Sequence, residues 1–101
     1  MLSRRGVDLE VDDHAPAVAP ADGIVRFAGP IRGLDHGVIL DHGDHYYTVS
    51  GDLDEVDVKI GQEVGAGERI GTVGDDGQGA MLYFEVRHGS QTIAPSAWLG
   101  L

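Results

Sequence analysis

The sequence predicts an all-β fold of short antiparallel strands, and three observations carry that expectation. Sixteen glycines stand in 101 residues; glycine weakens helices and supplies the positive-φ positions that tight hairpins need. Apolar and polar residues alternate with a period of two in several short stretches, the pattern of half-buried strands. No helical period is sustained over about ten residues, and the one candidate helical turn lies at 95–99.

Along the chain, Val7, Leu9 and Val11 alternate with Asp8 and Glu10, which predicts a half-buried strand. Pro16 and Pro20 punctuate the segment after it. Asp22-Gly23 then turns the chain into a strand over Ile24 to Ala28, which Gly29-Pro30 closes. Gly37 to Asp41 and His45 to Ser50 are apolar, β-branched or aromatic, and His42-Gly43-Asp44 between them has the length and glycine of a three-residue hairpin loop. From Val56 to Gly71, glycines recur among single apolar residues, a spacing that suits barrel corners. Asp75 to Gly79 is a polar, glycine-rich loop. Met81 to Arg87 is a strand that places Leu82, Phe84 and Val86 on one side and Met81, Tyr83 and Glu85 on the other.

Composition narrows the function. A formal charge of −10, with only seven Lys plus Arg, lacks the basic face that a nucleic acid or an anionic membrane requires. No apolar run approaches the roughly 18 to 20 residues of a membrane span, so no membrane insertion is expected. The N-terminus lacks the charged and apolar regions of a signal peptide. Without cysteine there are no disulfides and no thiolate metal sites. The length and 42% hydrophobic content fit one domain spanning 1–101.

From Arg4 to Leu99 the chain resembles the lysostaphin/LytM-type peptidase domain. The segments that carry the resemblance are VAPADGIVRFAG, GVILDHGDHYYTVSGDL, VKIGQEVGAGERIGTVG and LYFEVRHGSQTIAPSAWL, which agree in order and spacing. It implies a duplicated-hybrid-motif barrel. Peptide-cutting members of that family hold one zinc with a His-x-x-x-Asp pair and the second His of a His-x-His strand, and two further histidines assist catalysis. Carried over, the first ligand falls on Arg4, its partner on Asp8, the hairpin histidine on Asp52, and the His-x-His pair on Met81 and Tyr83. Only Asp8 matches. A guanidinium has no lone pair to offer and one carboxylate cannot hold zinc, so the expectation is no cofactor, no metal site and no catalytic residue.

An emptied groove still presents a surface. Its expected lining is Arg4, Asp8, Asp52, Met81 and Tyr83, a mixture of aromatic, flexible apolar and charged groups suited to protein recognition; the alternative for Met81 and Tyr83 is packing under a neighbouring loop. The departures resemble those of EnvC-type murein hydrolase activators, through Leu82 to Glu85, Arg87 to Pro95 and Trp98 to Gly100. That resemblance implies a periplasmic domain of a longer protein, which binds and activates a cell-wall N-acetylmuramoyl-L-alanine amidase and is open to peptidoglycan as a further ligand. Two other readings compete. A zinc endopeptidase with an altered site would have to use Asp8 and some of the histidines. A biotinyl or lipoyl carrier would need a lysine at a hairpin tip, and the only lysine, Lys59, precedes Gly61 in the glycine-rich corner. His42 and His45 are three apart, poor geometry for a metal in a loop, and His14, His36 and His88 sit beside turns with no catalytic partner at motif spacing.

Overall fold

The computed structural model describes residues 6–75 and 79–95. Among them nine strands join in one sheet: β1 (Val7–Val11), β2 (Pro16–Val18), β3 (Gly23–Pro30), β4 (His36–Gly43), β5 (Tyr46–Val56), β6 (Glu63–Val64), β7 (Arg69–Val73), β8 (Ala80–His88) and β9 (Gln91–Ile93). The main path runs β1-β8-β5-β4-β3-β6, with β7 pairing both β5 and β2 and β9 lying along β8. Every strand ladder is antiparallel. The all-β expectation therefore holds. No helix among the described residues is long and apolar enough to cross a membrane; the helical turn expected at 95–99 lies, beyond Pro95, outside the described residues.

The hairpin between β4 and β5 is tighter than the sequence suggests. Gly43 pairs with Tyr46, leaving Asp44 and His45 as a two-residue connection, both left-handed at φ 52° and 65°. Two consecutive positive φ values match the twist of the flanking strands, and Asp and His are among the residues that tolerate them. Asp41 braces this end: its carboxylate accepts from the Gly43 amide at 2.9 Å and from Arg26 Nε at 3.1 Å. The Gly43 amide first, and then Arg26, hold the Asp41 carboxyl below its ordinary 3.8. A depressed carboxyl pKa stabilises the fold above the unfolded value, and that contribution fades as pH falls through the lower, folded one.

The long strand β5 changes partners midway. Tyr46 to Gly51 pair with β8, whereas Leu53 to Val56 pair with β7. Asp52, at φ 60°, stands at the break, and this left-handed residue redirects the strand between the two partners. The main core lies where β2, β3, β4, β5 and β7 close on one another, with Ala17, Val25, Val38, Leu40, Leu53, Ile70 and Val73 buried together. A smaller cluster of Leu34, Val49 and Tyr83 forms apart from it, flanked by Ile31 and Ile39.

Gly71 shows how closely β7 is held. A Cβ there would stand 2.3 Å from the Glu55 carbonyl oxygen and 3.1 Å from Leu53. Gly71→Ala is expected to push β7 off β5 and cost about 1–3 kcal/mol, the usual range for overpacking. Thermal unfolding measures this directly, and an unchanged midpoint would contradict so tight an approach.

Candidate functional site

One cleft gathers residues from four parts of the fold, with a volume of about 510 Å³. The register explains the convergence. β1 runs antiparallel to β8 with Asp8 opposite Tyr83 and Glu10 opposite Met81, so Asp8 and Met81 project from the same face. On the other side of β8, Gly51 lies opposite Tyr83, which brings Asp52 to the same end of the sheet. The turn between β3 and β4 then folds up against it. The Asp52 amide donates to the Leu34 carbonyl at 2.7 Å, and the Ile31 amide to that of Asp35 at 2.9 Å. Asp35 bridges to Leu53, and His36 follows it into the cleft wall. Asp54, Gly74, Asp75 and Gly79 complete the lining; a Cβ on Gly74 would lie 3.0 Å from that of Asp54.

The structure thus brings together three of the five residues the sequence proposes. Asp8, Asp52 and Met81 line the cleft. Arg4 lies outside the described residues. Tyr83 sits beneath the surface, only 1% exposed, and does not belong to the lining. Its strand alternation is as expected, but the turn from Ile31 to Asp35 closes over it, and Leu34 packs with Tyr83 and Val49. Packing under a loop, the alternative raised for both residues, describes Tyr83 and not Met81, which is 37% exposed. The Tyr83 hydroxyl is also engaged: it accepts from the Gly6 amide at 2.8 Å and donates to Glu85 Oε1 at 2.5 Å.

Asp35, His36, Asp54 and Asp75 are cleft residues that sequence reasoning missed. The overall acidity is the one sequence signal for them. Five aspartates and one histidine line the cleft, and among the described residues no lysine or arginine does. Elsewhere in the fold Arg26 pairs with Asp41, Arg69 with Asp57 and Arg87 with Glu85.

Two of the positions that the resemblance aligns with the zinc centre and its assisting histidines, Tyr83 and Met81, carry neither imidazole nor carboxylate. Catalytic zinc takes three protein donors, typically imidazole or carboxylate. Met81 offers a thioether, and the Tyr83 phenol is committed to Gly6 and Glu85. Among the described residues no three His, Cys, Asp or Glu side chains are grouped to hold a metal ion. Other histidines have structural surroundings. The His42 ring spans from the Asp22 carbonyl to the Thr48 hydroxyl, at 2.8 Å each; because a carbonyl only accepts, Nδ1 carries the hydrogen. His88 stacks on Tyr46 with ring centroids 4.2 Å apart.

Comparison with known proteins agrees with this architecture. The murein hydrolase activator EnvC of Escherichia coli (strain K12) is 34% identical over 101 residues, covering 98% of this chain and 24% of the relative. The murein hydrolase activator NlpD of the same organism is 33% identical over 97 residues, covering 94% and 26%. The chain therefore spans about a quarter of the length of these two relatives. Among solved structures, the antimicrobial peptidase lysostaphin from Staphylococcus simulans superposes with a TM-score of 0.86 at 26% identity, covering 96% of this chain and 44% of that one. The model of peptidase family M23 matches residues 3–95. With nearly the whole chain matched and the sheet superposing on a peptidase of this type, the chain belongs to peptidase family M23.

Proposed function

We propose that this chain is a single non-catalytic M23-type domain, part of a longer periplasmic protein, which binds and activates a cell-wall N-acetylmuramoyl-L-alanine amidase through the cleft of Asp8, Asp52 and Met81. The observation that carries the reading is the fate of the position that the resemblance assigns to the third zinc ligand. Tyr83 stands there, its hydroxyl held between Gly6 and Glu85, beside a cleft that remains concave. The chemistry of metal-activated water is thereby given up while the shape of a binding site is kept. The relatives named murein hydrolase activators support the same assignment. In this reading the amidase performs the hydrolysis, and this domain supplies only differential binding to its active conformation.

The domain's charge shapes the partner surface. With a formal charge of −10 on this chain, a partner segment is favoured if it carries Lys or Arg, and such attraction is screened by salt. Titrating a fluorescently labelled amidase with the domain is therefore expected to give saturable binding. The affinity should weaken at least several-fold as ionic strength rises from about 0.05 M to about 0.3 M, over which the screening length more than halves. No binding at any ionic strength would remove the amidase as partner, and salt-independent binding would remove charge attraction from the account.

A further inference from the structure

Glu85 is the one fully buried charged side chain among the described residues, 0% exposed in the middle of β8. Burying a carboxylate is costly unless its oxygens find donors. Both do: Oε1 accepts from the Tyr83 hydroxyl at 2.5 Å, and Oε2 pairs with Arg87 Nε. The relay continues outward, because the same Tyr83 oxygen accepts the Gly6 amide at 2.8 Å. Gly6 is where the chain enters β1. The backbone there runs so close to β8 that a Cβ would stand 2.2 Å from the Phe84 carbonyl oxygen and 2.9 Å from the Glu85 Cβ.

β1 lies at the end of the sheet path with β8 as its partner strand, and Val7, Leu9 and the Asp8 between them are exposed. Strands with so little apolar burial open locally well below the free energy of global unfolding. From this geometry we infer that Glu85, acting through Tyr83 and with Arg87 as counter-ion, is a positioning residue. The relay clamps the start of β1 onto β8 and so fixes Asp8, opposite Tyr83 in the register, at the wall of the cleft. The cleft's shape thus depends on a relay centred on a buried carboxylate. The clamp itself is independent of the proposed function, but its consequence for binding rests on that reading.

Two conservative variants test it. Tyr83→Phe removes only the hydroxyl, and Glu85→Gln keeps the shape but removes the charge. Hydrogen exchange under native conditions is expected to speed up about tenfold or more at the Val7–Val11 amides in both variants, while the Val38 and Val49 amides keep their wild-type rates, as for a local opening. In amidase activation at the same temperature, the domain concentration for half-maximal effect should rise several-fold with the maximum unchanged. A merely structural role would instead speed exchange in every strand together and leave the half-maximal concentration alone. Unaltered β1 exchange in folded variants, uniform acceleration, or an unshifted half-maximal concentration beside an active wild type would overturn the clamp as a positioning device. If the wild type activates no amidase, the functional reading fails, and the exchange pattern by itself decides the clamp.

Discussion

Met81→Lys is expected to reduce amidase activation to background while leaving the domain folded. Met81 is the exposed large apolar side chain of the cleft, and a flexible thioether on an otherwise charged wall is the natural contact for an apolar side chain of the partner. The variant removes that contact and sets an ammonium against a segment expected to be basic. A central interface residue typically contributes about 2 kcal/mol or more, so the loss in affinity should be at least about thirtyfold. Because the side chain already reaches solvent, the thermal midpoint should move little. Activation at wild-type levels by a folded Met81→Lys domain would take the contact surface away from this cleft.

Tyr83→Ala should act in the opposite manner, on stability first. The ring is 1% exposed and packs with Leu34 and Val49. Truncating a buried aromatic costs about 3–5 kcal/mol. Here the loss of the hydroxyl also takes a donor from the buried Glu85 carboxylate and an acceptor from the Gly6 amide. For a chain of this size that is a large part of the whole folding free energy, typically about 5–15 kcal/mol. Chemical denaturation should show a midpoint shifted far towards zero denaturant, and any lost activation should follow the unfolded fraction. A variant as stable as the wild type would mean that the ring does not fill the space under the Ile31–Asp35 turn.

Local pattern made much of the sheet legible. β1 and β8 announce themselves through strict alternation, and β3 through the Asp22-Gly23 turn before it and Gly29-Pro30 at its end; β1 is nonetheless exposed at Val7 and Leu9 and not half-buried as its alternation suggests. β2 was hidden because Pro16 and Pro20 read as punctuation; the strand is three residues long and its pairing with β7 is made across a distance in sequence that no local pattern encodes. The apolar and aromatic run that marks β5 ends at Ser50, yet the strand continues to Val56 because the left-handed Asp52 bends it without ending it. The cleft divides in the same way. Asp8, Asp52 and Met81 all follow from the family resemblance, and the strand register then places Asp8 and Met81 on one face. Asp35 and His36 arrive on a turn whose course depends on the backbone bonds from Asp52 to Leu34 and from Ile31 to Asp35. That same turn buries Tyr83, so one non-local feature accounts both for two of the residues missed and for the one placed too near the surface.

The central claim is that this domain works through an amidase and does no cutting of its own. Release of soluble fragments from labelled, purified peptidoglycan, measured with the domain alone, with an amidase of the same organism alone and with both together, tests it most directly. The account predicts release from the mixture well above the amidase alone, and none from the domain. Release by the domain alone, abolished by a zinc chelator and restored by zinc, would contradict it and return the chain to the peptidases of its family.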